Sequence, residues 1–288
     1  MSTELTVALD SGKSMAELMG VSNSPNTSAY PKVARLYVNQ EVIEKAVDVD
    51  GETLMKPIMP KGAYKLAIDD TVVYSKTATI RVFAIRNQWQ HWNDSTKQME
   101  KSVLSNSLTG DLKDNMGGFN LGRPNRYFSK EEYAELSDAI KNRMSEVSAV
   151  KVYFGTVTLD NPVDAEGNPT SEYVDIPFVF DVKNRESKKA LDTVIGKISK
   201  KNLLPPQSTI KLSPGQGKIP TGATYGYVVA DMGDRVDLTP EDNDTFANFL
   251  EYIEYLNGYI IDKHNELRNN DMPQEDIELV ASIVEVEE

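Results

Sequence analysis

The sequence predicts a β-rich α+β protein, and three observations carry that prediction. Strand-type runs of β-branched and aromatic residues recur between Val33 and Ala230, separated by Gly, Pro and Asn turns. Apolar residues at helical spacing are confined to a few stretches, near residues 129–147, 186–200 and 239–267. With 288 residues, 40% of them hydrophobic, and 13 tyrosines, the chain is long and apolar enough to bury a core.

Residues 1–31 read as a flexible N-terminal arm. Met15-Ala-Glu-Leu-Met19 fits a short helix, and residues 22–31 are a Ser/Asn/Pro run without a burial pattern. The body, residues 32–230, opens with strands at Val33-Ala-Arg-Leu-Tyr-Val38, Ala63-Tyr-Lys-Leu-Ala-Ile68 and Ala78-Thr-Ile-Arg-Val-Phe-Ala-Ile85. Simple alternation in the third places Ile80, Val82 and Ala84 on one face and Arg81, Phe83 and Ile85 on the other. An insert at 87–148 interrupts the strands. It is polar and Gly-rich at first, including Gly117-Gly118-Phe-Asn-Leu-Gly122-Arg-Pro124, and ends in a helix. Ser129-Lys-Glu-Glu132 is a capping box, followed by Tyr133, Leu136, Ile140, Met144 and Val147 at helical spacing.

Strands resume at Val150-Lys-Val-Tyr-Phe-Gly-Thr-Val-Thr-Leu159 and Val174-Asp-Ile-Pro-Phe-Val-Phe-Asp-Val182, joined by a long Asn-Pro and Gly-Asn-Pro hairpin loop. A basic helix follows from Glu186 to about residue 200, with Leu191, Val194, Ile195 and Ile198 on its apolar side. Two further strands are expected at 208–212 and 223–230, with Gly215-Gln-Gly217-Lys218 as the turn between them. Thr239-Pro240-Glu-Asp242 starts the last helix, with Pro at the first helical position and acids in the first turn. Its stripe of Phe246, Phe249, Leu250, Ile253, Leu256 and Ile260 predicts a helix within 231–268 docked on the body. Residues 269–288 are left as an acidic tail.

Charge is divided sharply. Residues 231–288 hold 17 acids and 3 bases, whereas the first 230 residues are almost neutral. Within that neutral body, residues 183–218 carry 9 bases and 2 acids. A locally basic surface tethered to an acidic end points to a polyanionic partner and to a tail able to compete for the same surface. A soluble protein with a solvated acidic end has the same composition. No stretch approaches the ~20 apolar residues of a membrane span, and the first ten residues lack a basic-then-apolar leader. An intracellular protein without a membrane partner is expected.

Metal and catalytic motifs are thin. The chain has no Cys and only two histidines, His91 and His264, so no His/Cys zinc site, cofactor site or catalytic triad is expected. Asp10-Ser-Gly12-Lys13-Ser14 resembles the end of a phosphate loop, but Val7 stands where the first Gly belongs. Gly215-Gln-Gly217-Lys218 fails at Ile219. Asp181-Val-Lys183 has the acid-x-Lys form of some metal-dependent nucleases, a reading that needs further acids nearby.

Nucleic-acid features are richer, because a single strand needs cations for its phosphates and aromatic faces for its bases. Arg81, Phe83, Arg86, Trp89, His91 and Trp92 fall within twelve residues, and the two tryptophans sit among Gln, His and Asn, unlike a core pattern. Arg123, Arg126, Tyr127 and Phe128 form a second group. Lys151 with Tyr153 is a third, and Lys183, Arg185, Lys188 and Lys189 are a fourth. Phe178 and Phe180, alternating with Ile176, read as core.

The order of these elements resembles the helix-destabilising single-stranded-DNA-binding protein of T4-type phages. The likeness lies in a strand like Thr79-Ile-Arg-Val-Phe83, an insert, a Pro/Gly/Asn-rich hairpin like residues 152–181, a basic helix like residues 183–200, a closing strand and an acidic end. It implies an OB-like barrel with a helical insert and a C-terminal helix. It also implies sequence-tolerant, non-enzymatic binding of single-stranded DNA in replication or recombination, with the acidic end reaching protein partners. The family's insert holds zinc through Cys and His, which this insert lacks, and its basic N-terminal arm is not matched by residues 1–31. A virion structural or adaptor protein is the alternative expectation, and a metal-dependent nuclease the third.

Overall fold

The structure, a computed structural model, describes residues 33–49 and 52–271. The expected arm at 1–31, with its Gly12-Lys13-Ser14 segment, and residues 272–288 of the expected tail lie outside the described residues. In chain order the strands are β1 (Ala34–Val38), β2 (Ile43–Val49), β3 (Glu52–Met59), β4 (Tyr64–Ile68), β5 (Thr71–Ser75), β6 (Ala78–Asn93) and β7 (Gln98–Lys101). They continue as β8 (Ser148–Leu159), β9 (Ile176–Val182), β10 (Ser208–Lys218) and β11 (Thr224–Arg235). The helices are α1 (Lys130–Glu135), α2 (Asp138–Glu146), α3 (Arg185–Lys200) and α4 (Pro240–Asp271).

Nine strands form one mixed sheet in the order β11-β10-β6-β8-β9-β1-β4-β5, with β7 paired to the far end of β6, while β2 and β3 make a separate hairpin. Only the β1–β9 pair within the sheet is parallel. The α+β class and the C-terminal helix are as the sequence predicts. No ladder closes the sheet into a barrel among the described residues. It curls instead, and side chains bridge its two ends. Gln40 exchanges hydrogen bonds with both backbone groups of Gly226, at 3.1 and 2.9 Å, and the Tyr64 hydroxyl donates to the Ser213 carbonyl at 3.0 Å.

Each face of the sheet buries its own core. On one, α3 inserts Leu191, Val194 and Ile198 against Leu36, Tyr64, Ile80, Phe178 and Phe180. On the other, α4 lays Phe249 and Ile253 on Phe83, Val152, Phe154 and Val179. Each such side chain, fully buried, contributes about 1.5–3 kcal/mol. The start of α4 is also tied to the sheet. The Asp242 carboxylate accepts from the Thr239 backbone N–H at 3.0 Å and from both Arg81 guanidinium nitrogens at 2.9 Å.

A bulge in β6 decides what each later residue of that strand faces. The register against β8 shifts between Val82 and Ala84. Ile80 and Val82 face the α3 core, Phe83 and Ala84 both face α4, and Ile85 returns to the α3 side. Simple alternation through Ala84 and Ile85 is therefore wrong, because an extra residue reverses the phase of everything after it. Across the bulge sits Gly155, where a Cβ would lie 1.9 Å from the Arg81 carbonyl oxygen, so only glycine fits there.

Other boundaries also move. β6 runs unbroken to Asn93, so the residues expected at the start of the insert belong to the sheet. Gly215-Gln-Gly217-Lys218 is not a turn: it lies inside β10, paired with β11 out to Lys218 and Thr224, and the Tyr225 and Tyr227 rings occupy the space that Cβ atoms there would fill. The insert helix is two helices. The Ser129–Glu132 capping box starts α1, Leu136 leaves helical geometry, and Ser137 caps α2. Of its expected apolar stripe only Val147 is buried.

Candidate nucleic-acid interface

A groove crosses the sheet where β1, β7 and β9 approach the C-terminal half of α4. It comprises two cavities of about 580 and 530 Å³ that share Arg35, Met99, Lys101 and Asp181. Strand alternation supplies two of these. Arg35 and Tyr37 are the outward residues of β1 between core-facing Ala34, Leu36 and Val38, and Asp181 points outward between buried Phe180 and Val182. The pairing of β7 with β6 sets Lys101 opposite Gln90.

The electrostatics of this groove are lopsided. Arg35, Lys101 and Lys183 make no ion pair within 4 Å among the described residues. Lys101 is half-buried, and burial is the largest cause lowering its pKa; Asp181 pulls it back up, while Arg35 and Lys183 lower it further. Asp181 is itself held by the Gln90 amide at 3.0 Å, and Gln90 also donates to the Gln88 side chain at 2.8 Å. Three cations against one carboxylate leave the groove positive, and a partly desolvated, unpaired ammonium favours an incoming anion. Tyr37 lies toward one end, and Tyr259 and Lys263 of α4 toward the other.

A second positive surface lies at the start of α3. Asn184 caps this helix by accepting from the Ser187 N–H, which fixes the direction in which Arg185, Lys188 and Lys189 leave the sheet. These three and Lys151 surround an open cup of about 590 Å³. Lys151 pairs with Asp192 at 2.7 Å, and the Lys188 ammonium donates to the Ala149 carbonyl at 3.0 Å. Burial, then the Lys151 charge, lower the Lys188 pKa.

Ala149 also borders a third concavity of about 470 Å³, built by the insert and lined by Trp89, Arg123, Arg126, Tyr127 and Phe128. The Arg123 guanidinium lies 4.8 Å from the Trp89 ring centre, and that of Arg126 lies 4.2 Å from the Phe128 ring centre. Arg126 also pairs with Glu132 at 2.8 Å, the same carboxylate that closes the capping box.

The structure therefore brings together three of the four predicted groups and takes some of their members out of reach. Trp89 is not an exposed ring; it is 9% exposed, because Leu121, Val147 and Arg123 of the insert cover it. Tyr153 is fully buried, its hydroxyl 3.3 Å from Asp192. Phe83 is buried against Phe249. Arg81 is committed to Asp242, His91 sits 2.7 Å from Glu100 beside Arg143, and Arg86 donates to the Ile85 carbonyl. These belong to the frame. Trp92 stays accessible at 47%, with its N–H on Asp94.

Sequence reasoning missed Arg35, Tyr37 and Lys101. The Arg-x-Tyr alternation within Val33–Val38 already marked the first two as sharing a solvent face, whereas nothing local to Glu100-Lys101 foretold the pairing that delivers Lys101. Asp181, the candidate nuclease acid, is surrounded by cations and amides, and no group of three or more acidic or histidine side chains able to hold a metal occurs among the described residues. Among those residues no helix is long and apolar enough to cross a membrane. The chain matches no family model, no curated protein and no solved structure.

Proposed function

We propose that this protein binds single-stranded nucleic acid, DNA foremost, with little sequence preference and without catalysis. The observation that carries this reading is the set of cations Arg35, Lys101 and Lys183, without an ion pair among the described residues, along two adjoining cavities, with Arg185, Lys188 and Lys189 around a separate cup at the start of α3. A flexible polyanion is the ligand that meets such a line of charge, and each phosphate it places there releases bound counterions. Exposed Tyr37, Trp92 and Tyr127 offer ring faces beside it for unpaired bases. In this reading the curled sheet, with α3 packed into its concave side, serves as an OB-like platform. The acidic end beyond α4 serves to compete for the groove or to recruit replication or recombination proteins.

The test is titration of a fluorescently labelled oligo-dT, and of a labelled duplex of the same length, at several salt concentrations. The expected result is tighter binding of the single strand, with affinity falling linearly in log–log salt by about 0.7 per phosphate contacted. Failure to bind oligo-dT at low salt, or equal affinity for the duplex, refutes the proposal.

A further inference from the structure

The insert concavity differs from the groove in kind. Rings and planar guanidinium groups line it, rather than ammonium groups. Tyr127 is 96% exposed, an unusual position for an aromatic side chain, and it sits between two residues that are held firmly. Arg126 is pinned by Glu132 and stacked on Phe128, and Arg123 is anchored on the Met144 carbonyl and across Trp89. Beneath Arg123, closed off from solvent, lies an unmet donor. Trp89 is more than nine-tenths buried, and its indole N–H has no hydrogen-bond partner among the described residues. Buried donors are seldom left unpaired, and each such group calls for an explanation. With its volume of about 470 Å³, the concavity falls in the size range of small-molecule sites.

We propose that this pocket receives a nucleobase splayed out from the bound strand, which makes it the stacking subsite of the interface. This inference rests on the single-strand reading above. The base lies against Tyr127 and the Arg126–Phe128 stack, the Arg123 guanidinium shifts off the indole to admit it, and a base carbonyl or ring nitrogen accepts the Trp89 N–H. Every base has a flat π-face and at least one such acceptor, so the pocket takes any of them and adds affinity without a sequence code. The adjoining cup of Lys151, Arg185, Lys188 and Lys189 then holds the neighbouring phosphates. Ala149 borders the pocket, and its carbonyl already takes the Lys188 ammonium of the cup.

The experiment uses the full chain carrying Trp92→Phe, in which Trp89 is the sole fluorescent indole. Oligo-dT is added while its own label reports binding independently. The expected result is a change in Trp89 emission that saturates together with the label. Tyr127→Ala in this background should weaken binding roughly tenfold and shrink the Trp89 response, leaving the salt slope unchanged because no phosphate contact is lost. Trp89→Phe, which keeps an aromatic ring but removes the pyrrole ring with its N–H, should weaken oligo binding by about threefold to tenfold without loss of fold. Binding reported by the label with a silent Trp89, or full affinity in Tyr127→Ala, overturns the pocket proposal and leaves the single-strand reading standing. Absence of any label response overturns both.

Discussion

Replacing Lys101 by Met separates function from stability in one substitution. Lys101 is half-buried at the centre of the groove, beside Arg35 and Lys183, and only Asp181 offsets its charge. Its ammonium is therefore a burden on the folded state, as the lowered pKa records. A base whose folded pKa falls below its unfolded value destabilises the fold where it is protonated, and that cost fades as pH rises through the folded value. Met keeps the length and apolar stem but carries no charge, so Lys101→Met should leave the melting temperature at pH 7 unchanged or raised. Its effect on binding has the opposite sign. Losing one charged hydrogen bond to a phosphate costs about 1.5–3 kcal/mol, or roughly 10- to 150-fold in affinity for oligo-dT. One fewer phosphate contact should also flatten the log–log salt slope by about 0.7, so the gap between variant and parent narrows about 2.6-fold for each fourfold rise in salt. Calorimetric melting and anisotropy titrations at two or more salt concentrations read both effects. A variant that is destabilised yet binds normally would refute the argument, because the lysine would then be a structural element.

Three further outcomes follow from the same geometry. Tyr153→Phe should leave oligo-dT affinity and salt slope unchanged, whereas Tyr153→Ala should cost about 3–5 kcal/mol in denaturant titration, since the ring is core; lost affinity in the Phe variant would return Tyr153 to the interface. The Asp242 carboxyl is held below its ordinary value of 3.8, chiefly by its hydrogen bond to Arg81 and against the opposing effect of burial, so its stabilisation is present above that pH and lost as pH falls through the folded value. Asp242→Asn should therefore be less stable at pH 7 by about 1.5–3 kcal/mol and show a flatter stability profile below pH 4, and an unchanged acid limb in melting curves would contradict that. Deleting residues 271–288, which carry seven acids and no base, should tighten oligo-dT binding at low salt and have little effect once the screening length shrinks to about 8 Å; equal affinity at low salt with the fold intact would leave the tail without a competing role.

Local chemistry determined much of this protein. β-branched runs and their turns marked β1, β4, β8 and β9, the Ser129–Glu132 capping box announced α1, and Thr239-Pro240 announced α4. The basic character of α3 and the clustering of Arg123, Arg126, Tyr127 and Phe128 were equally legible, because each depends on residues close together in the chain. What a side chain faces was not. A bulge at Phe83, permitted by Gly155 on the neighbouring strand, reversed the phase of β6 and left Gln88 and Gln90 lining the groove, while Leu121, Val147 and Arg123 of the insert covered Trp89. Polar neighbours make Trp89 look exposed, yet Gln88 and Gln90 are themselves buried, so the polarity of immediate neighbours is a poor guide to burial here. Tyr153 beside Lys151 failed in the same way, since an α3 packed overhead can bury a ring as readily as solvent can expose it. The groove itself is a product of pairing alone. Arg35, Lys101 and Asp181 lie far apart in sequence, and only the chain of ladders β7–β6–β8–β9–β1 brings their charges within reach of one another. Composition thus set the supply of cations and rings, and long-range strand register decided which of them share a surface.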